Sequence, residues 1–242
     1  MRGSSRHFLH HEMEFTQEEI RQRYDKAAPW YDLQISILEG LIGVARLRRE
    51  LLRKATGQVL EIAVGTGRNF SFYPKDCTIT AIDPSSQMLE FARKRAKKLN
   101  MHTHLQVMDA QALAFPDHSF DTIVSSLSLC TIPDPVHALR EVARVCRPDG
   151  KALFLEHGRS SVQWLARFQD RFSDAWYRKH MGCRWNREPL QFMQEAGLEM
   201  LSHRRLFFGI LHVIEARPDS RLHNRTGACR VGLLRDFFNS EA

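Results

Sequence analysis

The stretch Gly57-Gln-Val-Leu-Glu-Ile-Ala-Val-Gly-Thr-Gly-Arg-Asn69 decides how the rest of the chain is read. Val59, Leu60, Ile62 and Val64 make the short apolar run of a fully buried strand. Gly65 and Gly67 then let the backbone turn sharply and approach a ligand with no Cβ in the way. A helix start is expected next, with free N–H groups that favour a polar or anionic group. Strand, glycine turn and helix together make a nucleotide site. A dinucleotide fingerprint needs Gly-x-Gly-x-x-Gly, and Phe70 stands where its third glycine belongs. Glu61, four residues before Gly65, points away from a pyrophosphate too, because a carboxylate there repels phosphate and welcomes a cation or a hydroxyl.

Working outward, 242 residues suffice for one α/β domain with a full core. Charged residues at 26% and hydrophobic residues at 43% are globular values. The formal net charge of +7 suits an anionic substrate or a membrane surface without requiring nucleic acid, and no nucleic-acid partner is expected. Five scattered cysteines without a Cys-x-x-Cys pair support neither a disulfide framework nor a zinc site, so no metal is expected. His102 and His104 alternate along an expected strand and read as surface histidines. A reducing compartment follows, cytoplasmic in the first instance, with a mitochondrial location left open. Residues 1–15 are polar and histidine-rich, lack an apolar signal core, and read as a flexible N-terminus.

Thr16 and Glu19 have capping-box spacing and open a helix. Leu33 to Ala45 is apolar but too short to span a bilayer. The arginines Arg46, Arg48, Arg49 and Arg53 follow it, so this N-terminal region reads as lid helices (16–56) with possible peripheral membrane contact. One of two readings of Tyr24 to Asp32 is a helix broken at Pro29 with its aromatics packed on the core; the other is a lid. Beyond the glycine turn, Cys77 to Ile82 is the second strand and Asp83 ends it, where ribose hydroxyls arrive in nucleotide-binding α/β units. A helix from Ser85 to Leu99 follows. His104 to Met108 is the third strand, ended by Asp109. Thr122 to Leu129 is the fourth, with Ser125, Ser126 and Leu127 near the end where open α/β sheets place ligands. Pro133 to Arg147 is a helix, Arg144 to Gly150 a turn, and Lys151 to Glu156 the fifth strand. An aromatic helix around Trp164 to Trp176, a short helix at Leu190 to Ala196 and two closing strands complete the core. Residues 218–242 read as a C-terminal extension with one apolar patch.

Several of these segments resemble the class I S-adenosylmethionine-dependent methyltransferases. Glu61 to Gly67 resembles their first motif, Glu/Asp-x-Gly-x-Gly-x-Gly, with Ala63 at the first glycine position. Tyr24 to Asp32 resembles the opening Tyr-x-x-x-Ala-x-x-Tyr-Asp segment of the ubiquinone/menaquinone methyltransferase-like branch. Leu113 to Asp121 is similar to its Leu-Pro-Phe-x-Asp-x-Ser-Phe-Asp stretch, and Arg144 to Gly150 to its Arg-Val-Leu-Lys-Pro-Gly-Gly turn. The resemblance implies a Rossmann-like α/β fold: a mostly parallel seven-stranded sheet with an antiparallel last strand and helices on both faces, spanning 57–217. It implies S-adenosylmethionine as cofactor, whose sulfonium and ammonium suit Glu61. It also implies a binding set of Tyr31, Glu61, Ala63, Gly65, Thr66, Gly67, Asn69, Asp83, Pro84, Met88, Asp109, Ala110, Ser126 and Leu127. Of these, Tyr31 belongs to a lid and Asp109 accepts from the adenine amine.

Glu156-His157, the aromatic helix and the turn Gly182-Cys-Arg-Trp-Asn-Arg-Glu188 are similar to a sub-branch of small-thiol S-methyltransferases and bacterial phospholipid N-methyltransferases. A small or lipid-like acceptor is therefore expected, with a thiol favoured over C-methylation of a quinone precursor or N-methylation of an amino-lipid. An S-adenosylmethionine-binding assembly module and a nicotinamide oxidoreductase are the readings from other classes. His157 is the candidate base, since its pKa suits proton transfer near neutrality. Arg159, Arg184 and Arg187 are candidates for drawing in an anionic acceptor. Cys183 reads as structural.

Overall fold

Val59 and Leu60 are neighbours in sequence and lie on opposite faces of one sheet. The computed structural model describes residues 14–41 and 43–219. Residues 1–13 of the expected N-terminal stretch and 220–242 of the expected extension, with its apolar patch, lie outside the described residues. The strands are β1 (Gln58–Ile62), β2 (Thr78–Asp83), β3 (Thr103–Val107), β4 (Phe120–Ser126), β5 (Cys146–His157), β6 (Leu198–Leu206) and β7 (Leu211–Pro218). They form one sheet in the order β3-β2-β1-β4-β5-β7-β6. The first five pair in parallel, and β7 runs antiparallel to both β5 and β6. This is the mixed sheet the sequence predicts.

The helices are α1 (Gln17–Leu41), α2 (Val44–Leu52), α3 (Ser86–Lys98), α4 (Pro135–Val145), α5 (Gln163–Lys179) and α6 (Pro189–Glu195). Leu60, Ile62, Ile123, Phe154 and Ile214 pack with Leu139 and Val142 of α4 and Met193 of α6. Val59, Ile79, Val124, Leu153 and Val213 pack on the other face with Leu47, Leu51 and Leu52 of α2 and Leu89 and Ala92 of α3. Strands covered on both faces read as continuous apolar runs, as β1 does. Each such side chain contributes about 1.5–3 kcal/mol when fully buried. Strand order reverses between β1 and β4, which opens a crevice at their C-terminal ends.

Two expectations are corrected, and one of the two readings of Pro29 falls. The helix expected after Gly67 is a single 3₁₀ turn, Phe70–Phe72. Pro74 disfavours helical backbone at Tyr73, which is extended at φ −69° and ψ 144°. Pro29 does not end a helix, for α1 runs through it. The missing N–H and ring clash disfavour this, and side-chain ties from α1 to the body of the protein offset the loss. The fifth strand begins at Cys146 rather than Lys151: Phe120 pairs with Cys146 and Thr122 with Lys151, so the expected turn is a bulge inside a strand. The capping box does form, with Glu19 N donating to Thr16 Oγ1 at 3.2 Å and Thr16 N donating to Glu19 Oε2 at 2.7 Å.

The Phe120-Asp121 pair locks the opposite, N-terminal end of the central strands. Gln58 N donates to Asp121 Oδ2 at 2.8 Å. Gly57 before it has φ +66°, and a Cβ there would lie 2.3 Å from that same oxygen. Gly57→Ala is therefore expected to lower stability by about 1–3 kcal/mol through backbone strain and displacement of Asp121. Urea unfolding checks this; a midpoint equal to wild type would contradict it.

Candidate active site

Glu61 is the last polar residue of β1 and is buried. Period-two alternation turns it away from Leu60 and Ile62. Its two oxygens are held by neighbours downstream of the glycine turn. Asn69 Nδ2 donates to Oε1 at 2.9 Å, and the Tyr73 hydroxyl donates to Oε2 at 2.8 Å. Asn69 Nδ2 also reaches Ser126 Oγ at the end of β4, 3.1 Å away. Burial pushes the Glu61 carboxyl up to about 7, against the opposing pull of the Tyr73 and Asn69 hydrogen bonds. Asn69 Oδ1 is buried with no hydrogen-bond partner.

The turn between them is a run of left-handed residues: Ala63 at φ 49°, Gly65 at 57° and Gly67 at 77°. Ala63 carries the extra methyl without losing the conformation. A Cβ on Gly65 would meet nothing within 4 Å, so the space above it is open. A Cβ on Gly67 would strike the Phe70 ring at 2.6 Å, so this glycine serves packing under the turn. Asp83, at the end of β2, accepts from Gly65 N at 2.8 Å and from Ser85 N at 2.9 Å. Burial raises its carboxyl to about 6, against those two backbone donors. Asp109 is bound by the Gln111 side-chain amide at 3.1 and 3.0 Å.

Helix α1 covers this crevice and is tied down along its length. Asp25 accepts from Ser85 Oγ at 2.6 Å. Asp32 accepts from Thr66 Oγ1 at 2.7 Å and also pairs with Arg68 and Arg95. Glu39 forms a buried two-pronged pair with Arg48 of α2 at 2.5 and 2.7 Å.

The result is a crevice enclosing about 870 Å³ of empty space, the open solvent at its mouth included. Of the predicted binding set, Tyr31, Glu61, Ala63, Gly65, Thr66, Asn69, Asp83, Pro84, Met88, Asp109, Ala110, Ser126 and Leu127 all border it. Gly67 does not. Ile20, Tyr24, Arg68, Thr131 and Ile132 also border it and were not predicted. Tyr24 had a signal in the quoted lid segment; Thr131 and Ile132 had none. Two supports behind the wall were also missed. Tyr73 reaches Glu61 only because Pro74 redirects the chain. Glu156 is buried and accepts from Ser125 Oγ at 2.6 Å and Ser128 N at 3.0 Å, which fixes the loop after β4.

His157 stands outside the cavity-lining set. Its Nε2 lies 3.4 Å from Cys183 Sγ. Burial lowers the imidazole pKa, but the bond and charge of Cys183 raise it on balance. The three arginines expected to attract an acceptor are otherwise engaged. Arg159 pairs with Asp170 at 2.8 Å, and Arg184 with Glu14 at 2.8 Å and Asp174 at 3.4 Å. Arg187 donates to the carbonyls of Leu129 and Ile132 at 2.5 and 2.6 Å. His104 lies on the outer strand β3 and His102 just before it, and neither belongs to a metal-ligating group among the described residues.

Residues 60–154 match the family model described as a methyltransferase domain. That segment is thus a methyltransferase domain. The matched segment holds Glu61, Asp83 and Asp109. Among curated proteins, the chain is 28% identical over 217 residues to the mitochondrial methyltransferase OMS1 of Saccharomyces cerevisiae, covering 80% of this chain and 45% of that one. It is 33% identical over 150 residues to human thiol S-methyltransferase TMT1A, covering 59% of this chain and 60% of that one. The chain thus spans about half of these relatives' length. Further relatives carry names for ubiquinone/menaquinone C-methylation and phosphatidylethanolamine N-methylation. Among solved structures, the [4+2]-cyclase SpnF superposes with a TM-score of 0.66 at 18% identity, covering 85% of this chain and 97% of that one. That likeness establishes the fold alone.

S-adenosylmethionine is the cofactor of the methyltransferase domain, and the residues present fit it. Two buried carboxylates with spare lone pairs, an orphaned amide oxygen on Asn69 and open space above Gly65 suit a ligand that brings donors and positive charge. Among the described residues, no helix is long and apolar enough to cross a membrane.

The raised acids make cofactor affinity depend on pH. The ionised forms receive the ligand's positive charge and hydroxyls, and protonation competes below about 7 at Glu61 and about 6 at Asp83. Affinity for S-adenosylmethionine should therefore strengthen as pH rises from 5.5 to 8, by at most about tenfold per unit for each acid. Isothermal titration across that range checks the sign; affinity that is flat or falls with pH would contradict it.

Proposed function

We propose that this methyltransferase acts on a small lipophilic thiol, with Glu61 facing the charged methionine end of the cofactor, Asp83 the ribose and Asp109 the adenine amine. The observation that carries the cofactor assignment is the buried Glu61, raised to about 7 and held by two neutral donors, with no ion-pair partner among the described residues; the nearby Arg48 is paired with Glu39. The thiol reading draws on the similarity to a thiol S-methyltransferase. A lipophilic acceptor is supported by the far wall of the cavity, where Ile20, Tyr24, Tyr31 and Ile132 gather.

The cofactor supplies a sulfonium methyl that needs no enzyme nucleophile. The work left to this chain is alignment and exclusion of water. Glu61, Asn69 and Tyr73 form a rigid seat at the end of β1. Tyr24 and Tyr31 close over it from α1, which Asp25 and Asp32 hold in place.

Peripheral membrane contact is part of the proposal. Trp30 and Leu33 of α1 are 63% and 65% exposed. A second face was not foreseen: Trp164, Phe168 and Phe172 lie four apart on α5, exposed beside Arg167 and Arg171. Phe208 of the β6–β7 turn joins them, its carbonyl accepting from Ser161 N at 3.0 Å. Such an aromatic and basic surface suits an anionic bilayer from which a lipophilic acceptor would arrive.

Titration of S-adenosylmethionine and S-adenosylhomocysteine into wild type and Asp83→Ala tests the seat. Both ligands should bind wild type, and the substitution should weaken them by about 1–3 kcal/mol, the cost of lost charge-assisted hydrogen bonds. No binding to wild type would sink the site. A panel of alkyl thiols, a demethylated quinol and phosphatidylethanolamine then tests the acceptor. Methylated thiol is expected; product from the quinol or the amino-lipid alone would replace this reading.

A further inference from the structure

Cys130, His157 and Cys183 are remote in sequence and converge at one point. Cys130 follows β4 in the loop bordering the cavity, His157 ends β5, and Cys183 lies in the turn after α5. One ligand-type atom from each lies within 4.8 Å of the other two. Cys183 Sγ is 3.4 Å from His157 Nε2. A tetrahedral cation with metal–sulfur bonds of about 2.3 Å and metal–nitrogen bonds of about 2.0 Å puts neighbouring ligands roughly 3.5 Å apart. Little movement is needed to close the trio on one ion.

The surroundings favour negative charge on the Cys183 sulfur, while the neighbouring Cys183 and burial hold Cys130 as a thiol until a cation arrives. Trp176 Nε1 is buried with no nitrogen or oxygen partner, and Cys183 is within its reach. The Arg187 guanidinium lies close by, with its hydrogen bonds spent on carbonyls and no ion pair to a carboxylate among the described residues. Two thiolates, a neutral imidazole and a divalent cation sum to zero, so Arg187 faces no net repulsion. Sulfur and imidazole donors select zinc-like ions over magnesium or calcium. The absence of a Cys-x-x-Cys pair therefore did not exclude a ligand set, because three separate loops build this one.

The trio also sits next to the cavity. Thr131, adjacent to Cys130, and Tyr24 both border it, and Tyr24 is close enough to Cys130 and Cys183 to feel their charge. We propose that Cys130, His157 and Cys183 hold one zinc ion, whose fourth position takes the sulfur of the acceptor thiol. Three protein ligands with one open position is the pattern of a catalytic rather than a structural zinc site. As the acceptor binds, its S–H bond breaks, the proton passes to water and a sulfur–zinc bond forms. The cation thereby supplies the thiolate near neutral pH, a task assigned from sequence to His157 as a base. The acceptor role rests on the thiol-methyltransferase reading; the metal site does not.

The test loads the full-length protein with zinc, or with cobalt in its place, and removes free metal by desalting. About one equivalent should be retained, and the cobalt protein should show thiolate-to-cobalt charge-transfer absorption. Cys183→Ser and His157→Asn should each lower metal affinity at least tenfold, while titration with S-adenosylhomocysteine verifies that each variant is folded. Adding an alkyl thiol without cofactor should shift the cobalt bands. No retained metal and no charge-transfer band would overturn the site, as would isolation of a Cys130–Cys183 disulfide that excludes metal. Retained cobalt whose spectrum ignores thiols would overturn the acceptor role. A positive spectral response without methylated thiol would fall on the proposed activity alone.

Discussion

A carboxyl group buried at the C-terminal end of the central strand is the constraint around which this protein is built. Ionised and unpaired, such a group costs several kcal/mol. Among the described residues no lysine or arginine forms an ion pair with Glu61; Arg48, whose charge reaches it, is paired with Glu39. The chain holds the acid with two neutral donors, Asn69 and Tyr73, leaving the charge to be met from outside. Every local feature of the segment serves that arrangement. The left-handed turn at Ala63 to Gly67 brings Asn69 back over the strand. Pro74 ends the 3₁₀ turn and sends the Tyr73 hydroxyl into the same space. The reversal of strand order between β1 and β4 supplies the crevice, and Ser126 at its far lip completes the grip on Asn69.

The lid is coupled to this seat by hydrogen bonds and ion pairs. Asp25, Asp32 and Glu39 recur along one side of α1, and each ties to a residue of the domain or of α2. Asp32 is the junction, shared by Thr66 of the glycine turn, Arg68 and Arg95. A displacement of α1 must therefore disturb the turn, and filling the turn must steady α1. Exposed pairs of this kind are individually weak, which suits an element that has to let a cofactor in. The buried Glu39–Arg48 pair is different in kind and fixes the lid's C-terminal end to the core helix α2.

Much of this was legible in the chain because the signals were local. Val59 to Gly67 carries its own strand and turn, and Asp83 and Asp109 stand at strand ends by simple counting. The misreadings share a cause. The helix after Gly67 was read from the turn alone, while Pro74 vetoes it from further along. Pro29 left a break open by its backbone chemistry, while three acids on the same helix fasten it through. Arg159, Arg184 and Arg187 looked available because their partners, three acids and a set of carbonyls, are brought in by tertiary structure. Cys130, His157 and Cys183 have no spacing in common, so only the folded chain reveals them as neighbours. Local chemistry reads well from sequence; what occupies or competes for a group across the fold does not.

The account turns on Glu61 being an acid that waits for a cation, and Glu61→Gln is its most direct test, since the amide keeps the shape and removes the charge. Affinity for S-adenosylmethionine at pH 8, measured by isothermal titration, should fall at least about tenfold, the value of one charge-assisted interaction. The pH dependence between 6 and 8 should flatten at the same time. Equal affinity with an unchanged pH profile would mean that the buried carboxylate serves the fold alone.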